Sequence, residues 1–324
     1  MSNAAASRPA PRITRHPDGI TAVDAEYLRE GLAAVHIVER AGRAAFVDTG
    51  TAPGVQRLLA ALEQLGIARD AVDYVFLTHV HLDHAGGAGA LMHALPNARA
   101  VVHPRGLTHM VDPGKLIRGS IAVYGEELYK QLYGELTPIS ANRIIATNDG
   151  QRIALADRVF EFVHTPGHAL HHHSIVDCET SSIFPGDTFG LSYREFDTER
   201  GAFVVPTTTP TQFDPDQLIA SVVRLLAYKP KALYLTHYSR VTEVERLAEQ
   251  LTTQIRRFAA IAQQHAAASD RYDRIYADMR VLWLRLAREH GCTLSDERID
   301  ELLAPDLKLN TQGLIAWLER AQRA

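Results

Sequence analysis

The stretch THVHLDHAGG, Thr78 to Gly87, constrains this chain more than any other part of it. It sets His79, His81, Asp83 and His84 within six residues, directly after the apolar run Tyr74-Val75-Phe76-Leu77. Such a run reads as a buried strand, so the four side chains fall where a strand ends and a glycine-rich turn begins. Imidazoles and a carboxylate in that setting are ligands that suit zinc, iron or manganese. Further along lie His168 in HTPGH, Asp187 in FPGD and His237 in YLTH, each just after another strand-like segment. Seven ligand-type side chains at the ends of separate strands are the set that two cations need.

A lone histidine at a strand end is more often a hydrogen-bonded core or surface residue than a ligand. His36, His93, His103, His109, His265 and His290 are read that way. His171, His172 and His173 follow His168 closely. On an extended segment alternate members share a side, so either one or two of them face the site or the trio is a surface cluster. These three and His164 stay outside the ligand set.

On Asp48 in FVDTG, the HxHxDH run from His79 to His84, His168, Asp187 and His237, the chain resembles the metallo-β-lactamase superfamily. The nearest branch is that of the binuclear hydrolases, which holds glyoxalase II and the acyl-homoserine lactonases. The likeness covers roughly residues 20 to 240, with the family's motifs in order. It implies an α/β (α+β) fold, a four-layer αββα sandwich. It further implies that His79, His81 and His168 hold one divalent ion while Asp83, His84 and His237 hold the other. Asp187 then bridges the two ions, and Asp48 orients ligands from behind them. Zinc is the expected metal, with iron or manganese as alternatives.

Composition fits a globular enzyme. The 324 residues suffice for a large core, with 46% hydrophobic and 22% charged residues. The formal charge of −4, with no Lys/Arg-rich patch, argues against nucleic acid as a partner. Two cysteines, Cys178 and Cys292, are too few for a disulfide framework and suit a reducing compartment. No apolar run approaches a membrane span, and MSNAAASRPAPR lacks the apolar core of a secretory signal. The expectation is a cytoplasmic protein acting on a small molecule.

Along the chain, residues 1 to 12 read as a disordered tail and 13 to 240 as the catalytic domain. Strands are expected at Ala33 to Glu39 and Ala44 to Asp48, and helices over 52 to 65 and Ala88 to Leu95. Further strands follow at Ala100 to His103, Arg143 to Ala146, Arg152 to Leu155, Val159 to Val163, Ser174 to Val176 and Ser182 to Phe184. After a helix at Pro215 to Tyr228, Lys231 to Leu235 is the last strand expected. Residues 105 to 142 interrupt this rhythm with Met110, Leu116, Tyr124, Leu128 and Tyr133 at helical spacing, an insertion read as a wall over the metals. Residues 188 to 213, rich in Thr and Pro, are a second long irregular segment, of a kind that is usually functional. From residue 241 to 324 the sequence turns helical, with helices expected at Asp270 to His290, Ser295 to Leu303 and Asn310 to Gln322. The helix around Trp283 is apolar nearly all round, so it is expected to lie deeply buried or in a homodimer interface.

The chemistry expected of such a site is hydrolysis: a metal-bridging hydroxide attacks an ester, thioester or lactone carbonyl, and Asp83 takes up and returns a proton. Glyoxalase II cleaves a glutathione thioester and also carries helices at its C-terminus, but compact members lack the insert found here between His84 and His168. Lactonases of this branch use a Tyr soon after the bridging Asp; here Phe189-Gly190 stand in that place, leaving Tyr193 or Tyr238 to bind substrate. The alternatives are a di-iron oxygen-binding or redox protein like the flavodiiron branch, a one-iron sulfur dioxygenase, and a regulator acting through its helical extension.

Overall fold

The computed structural model describes residues 10–208 and 211–323. The expected tail thus falls mostly outside the described residues. Its last part is tied down, since the Asp24 amide donates to Arg12 O at 3.0 Å.

Short strands, most of them buried on both faces, build two sheets. The first contains β1 (Ile13–Arg15), β2 (Ile20–Asp24), β3 (Ala34–Arg40), β4 (Arg43–Val47), β5 (Val72–Phe76), β6 (Arg99–Val102) and β7 (Ile144–Ala146), side by side in that order. Its strands are antiparallel from β1 to β4 and parallel from β4 to β7. The second contains β8 (Gln151–Leu155), β9 (Arg158–His164), β10 (His173–Asp177), β11 (Ser182–Phe184), β12 (Ala232–Leu235) and β13 (Ser239–Val241), again in spatial sequence. Only its β11–β12 pair is parallel. The strand β13 follows the one expected to be last. Its three residues are too short a run to show the period-2 alternation that marks a strand.

The period of two sorts β4 into two layers. Ala45 and Val47 meet Phe76, Val101, Phe160, Phe162 and Phe184 between the sheets. Ala44 and Phe46 face the other way, into a cluster that includes Leu58 and Leu62 of α1 (Val55–Leu65) and Leu91. Each fully buried side chain of this size contributes about 1.5–3 kcal/mol. Helices outside both sheets complete the αββα order.

After β5 come α2 (Leu82–Ala85) and α3 (Ala88–Ala94), then α4 (Pro104–Val111), α5 (Gly114–Tyr124) and α6 (Glu126–Tyr133), which make up the insertion. Its return path is pressed onto α3. A Cβ on Gly89 would stand 1.7 Å from Thr137 O, so only glycine permits that approach. On the second-sheet side, α7 (Pro215–Leu226) starts at Asp214, whose side chain accepts from the Gln217 amide. Ser221 Oγ of α7 donates to Pro166 O at 2.6 Å and so steadies the loop after β9.

The C-terminal helices are α8 (Val244–Gln264), α9 (Arg271–Glu289) and α10 (Asp296–Ala321). The two short helices expected over Ser295 to Leu303 and Asn310 to Gln322 are a single helix running through Pro305. Proline removes one backbone bond, but Leu302, Leu303, Leu307, Asn310, Thr311 and Leu314 are all buried around it, and that packing carries the helix across. Trp283 is 1% exposed within the chain itself, while Val281 on the same helix is 62% exposed. The Thr/Pro-rich segment is laced to these helices: Asn310 Oδ1 accepts from the Thr208 amide, Asn310 Nδ2 donates to Pro206 O at 3.0 Å, and Gln254 Nε2 donates to Val204 O at 2.7 Å. No described helix is long and apolar enough to cross a membrane.

Candidate metal centre

Every residue expected to bind metal sits just beyond a strand end or in the turn that follows. His79 and His81 follow β5, and Asp83 and His84 lie on α2 one turn later. His168 is in the loop after β9, Asp187 in a single helical turn after β11, and His237 directly after β12. The sandwich therefore gathers at one edge groups far apart in sequence.

Three imidazole nitrogens converge on one point. His81 Nδ1 lies 2.9 Å from His79 Nε2 and 3.0 Å from His168 Nε2. A tetrahedral ion with nitrogen ligands at about 2.0–2.1 Å requires an edge of about 3.3 Å, so a modest spreading admits a cation. On the other side, Asp83 Oδ2 lies 3.7 Å from His84 Nε2 and 3.4 Å from His237 Nε2. Asp187 divides itself between the two groups. Its Oδ2 is 3.5 Å from His168 Nε2, while its Oδ1 is 3.2 Å from His84 Nε2 and 4.0 Å from His237 Nε2. The triads His79–His81–His168 and Asp83–His84–His237 each have ligand atoms within 4.8 Å of one another, as does His79–His84–Asp187.

The rear of the cluster is wired to aim these atoms. Asp48 Oδ2 is 2.8 Å from His84 Nδ1, which turns the Nε2 lone pair toward Asp187. His237 Nδ1 donates to Leu32 O at 2.9 Å, with the same result. Asp48 also accepts from the Thr78 amide and hydroxyl and from Thr236 Oγ1. Among the described residues, Asp187 Oδ1 and His84 Nε2 are buried polar atoms without a hydrogen-bond partner. A buried carboxylate oxygen and a buried imidazole nitrogen facing each other at 3.2 Å fit a shared cation.

Titration divides the cluster in two. Burial, and then the neighbouring charge of His84, holds His79 well below the usual imidazole range. Burial followed by His168 takes His81 down to about 3. Those rings are neutral, the form a metal needs. Burial also opposes charge on His84, yet Asp187, Asp83 and Asp48 outweigh it and raise that imidazole well above its ordinary range. For His237, burial is again overcome, by the hydrogen bond to Asp83 and the charge of Asp187. The carboxylates of this half thus favour positive charge at His84 and His237.

A sequence profile described as the Metallo-beta-lactamase superfamily matches residues 28–237. This chain belongs to the metallo-beta-lactamase superfamily. Among curated relatives, the metallo-beta-lactamase fold-containing protein ST1585 of Sulfurisphaera tokodaii is 28% identical over 172 residues, 52% of this chain and 61% of that protein. A hydroxyacylglutathione hydrolase of Xanthomonas axonopodis pv. citri is 29% identical over 188 residues, 57% of this chain and 54% of the relative. The alignment therefore spans little more than half the length of each. The crystal structure of the archaeal ST1585 protein superposes with a TM-score of 0.60 at 25% identity, covering 74% of this chain and 86% of that one. A metallo-beta-lactamase family protein of Thermus thermophilus reaches 0.63 at 18% identity over 97% of this chain and 93% of its own. That coverage takes the likeness of fold through α8, α9 and α10.

In this superfamily member the remaining histidines take separate places. His172 Nε2 accepts from the Asp187 amide at 3.2 Å, so it positions Asp187. The His171 ring stands 5.3 Å from that of His81. His173 bonds Leu77 O and His164 lies near Thr147 O, both turned from the cluster. Strict alternation fails for the trio because β10 begins only at His173, leaving His171 and His172 in a turn. A Cβ on Gly186 would come within 2.6 Å of His172 Nε2, so glycine keeps that packing open.

The expected substrate-binding tyrosines diverge. Tyr193 donates its hydroxyl to Asp306 Oδ2 at 3.0 Å, and the Arg29 guanidinium covers its ring at 4.7 Å. Tyr238 is half-buried and feels Asp24, Arg12 and Arg194 after burial itself, none of them in the ligand cluster. Sequence reading missed Asp306, which α10 brings within electrostatic reach of His237 and Asp187. No local signal marks it, because one aspartate on an exposed-looking helix face is common.

Proposed function

We propose that this chain is a binuclear metal-dependent hydrolase acting on an ester, thioester or lactone. The observation that carries this reading is the division of the Asp187 carboxylate between His168 on one side and His84 with His237 on the other. His79, His81 and His168 would hold one divalent ion, and Asp83, His84 and His237 the other. Two such ions, when bound, supply Lewis acidity and a water acidified enough to attack a carbonyl near neutral pH. Asp83 faces the same space with its Oδ2 and is placed to accept a proton from the attacking water and pass it to the leaving oxygen or sulfur. Asp48, Leu32 O and His172 hold the ligands in place throughout. The named activity of the hydroxyacylglutathione hydrolase relative, cleavage of a thioester, supports this class of reaction.

Elemental analysis of the purified protein, followed by an ester, thioester and lactone panel, tests the reading. Two ions per chain and turnover of at least one class are expected. In Asp187→Ala both metal content and turnover should collapse. A variant that keeps two ions and full turnover would overturn the assignment. An iron-loaded protein with a visible charge-transfer band, silent toward the whole panel, would replace it with the di-iron redox alternative.

A further inference from the structure

Beside Asp83, three tyrosines from different segments meet. Tyr27 comes from the β2–β3 loop, Tyr124 from the end of α5 and Tyr133 from the end of α6. Tyr27 Oη lies 2.9 Å from Tyr133 Oη, and the Tyr124 ring meets that of Tyr133 edge-on at 5.5 Å. Leu82, the neighbour of Asp83, belongs to the same apolar cluster together with Leu116 and Ile121. The charge of Asp83 reaches all three phenols, and that of Asp306 reaches Tyr27 and Tyr124. The row therefore borders the Asp83–His84–His237 half of the site.

Three hydroxyls linked by two hydrogen bonds, Tyr27 to Tyr133 and Tyr133 to Tyr124, use two of three protons, and the third must find an acceptor outside the row. Burial keeps these phenols protonated, so they remain donors. The residues packed around the row, among them Leu82, Leu116, Ile117 and Ile121, are apolar. Arg29, a cation at this end, is paired through Nη1 with Glu195 Oε1 at 2.6 Å and with Glu30 O and lies over the face of Tyr193, while its Nη2 is buried without a hydrogen-bond partner among the described residues. Lys115 stands instead by His109, on the flank of His171. An anionic substrate group on this side would face Asp83 and Asp306.

We propose that the Tyr27–Tyr133–Tyr124 row is a substrate-recognition surface that takes an uncharged, partly apolar portion of the substrate through a phenolic O–H. This rests on the binuclear-hydrolase reading for the reaction, but recognition is measurable without turnover. The test uses the metal-loaded full chain and three hydroxamate probes: one with an ether-containing neutral tail, its all-carbon twin, and one with a tail ending in two carboxylates. Calorimetry should give the ether probe an affinity about tenfold above the dianionic one. Tyr27→Phe and Tyr133→Phe should each weaken the ether probe about fivefold, leave the all-carbon twin unchanged and keep both ions. For a hydrolysed neutral ester the same variants should raise KM with kcat little changed. Dianionic binding as tight as neutral, or Phe variants that bind the ether probe like the parent, would overturn the proposal. A parent protein with both ions that hydrolyses nothing, yet shows the probe preferences, would sink the hydrolase reading and leave the recognition surface standing.

Discussion

Asp48 Oδ2 lies 2.8 Å from His84 Nδ1, and the same carboxylate accepts from the Thr78 amide at 2.9 Å through Oδ1. One side chain at the end of β4 thus orients the His84 ring and anchors the start of the turn that carries His79, His81 and Asp83. Asp48 itself holds a left-handed backbone, with φ of 60°, a conformation that aspartate tolerates better than most residues. Its position is fixed by the strand behind it and by Thr236 Oγ1 at 3.0 Å from a different sheet.

Replacing Asp48 with Asn keeps the shape but removes the charge and one acceptor. We expect the ion on the Asp83–His84–His237 side to bind about 10- to 100-fold more weakly, the usual cost of losing an outer-shell partner. Chelator competition followed by elemental analysis reads this directly. Equal loss of both ions, or no loss, would contradict this division of labour.

Much of the candidate site was legible because the expected ligands lie in short, strongly patterned stretches. His79 to His84 directly follow an apolar run, and Asp187 and His237 each come shortly after a short strand whose side chains are buried on both faces. The layered fold followed from strand-like runs alternating with helical ones and from the resemblance of the motifs. What stayed hidden depends on contacts distant in sequence. Tyr27 and Tyr133 are separated by 106 positions and meet only through the packing of the insertion. Asp306 reaches Tyr193 across 113 positions. Pro305 marks a helix end by local rules, and buried neighbours on both sides override that rule.

His36 provides a pH dependence away from the metal centre. It is 1% exposed, packs edge-on against Phe184 and Tyr234, and lies 3.4 Å from Ser239 Oγ. Burial, with a lesser push from His16, takes its pKa down to about 3. The unfolded chain takes up this proton near pH 6.5 and the folded chain does not, so stability is full above that value. It falls as the pH drops from about 6.5 toward 3, by up to about 1.4 kcal/mol per pH unit for this group. Urea unfolding between pH 4 and 8 should show a shallower acid slope in His36→Gln than in the parent. Parallel slopes would mean that His36 is protonated in the folded protein.

Gly89 supports the insertion mechanically. Alanine there would bring its Cβ to 1.7 Å from Thr137 O and 2.5 Å from Thr137 C, both backbone atoms that cannot rotate away. The change should cost on the order of 3 kcal/mol or push the stretch between α6 and β7 off α3. We expect a lower melting temperature and faster proteolysis within residues 114–140. An unchanged melt and digestion pattern would show that the insertion is not seated on α3.

Asp306 links the last helix to the site. Burial raises its carboxyl to about 6, although His237, Tyr193 and Arg29 all favour the ionised form. An unfolded aspartate ionises near 3.9, so in the metal-free protein the folded state holds this proton more tightly. The stability gained is fully present below the unfolded value and lost as the pH rises through about 6. Asp306→Asn should therefore stabilise metal-free protein at pH 8, by roughly 3 kcal/mol, and change little at pH 4. Two cations beside His237 would favour the carboxylate, so the gain should shrink once the protein is metal-loaded. Melts of parent and variant at both pH values, with and without metal, decide this. A variant less stable than its parent in metal-free protein at pH 8 would show that the Tyr193–Asp306 hydrogen bond outweighs the cost of burying the charge.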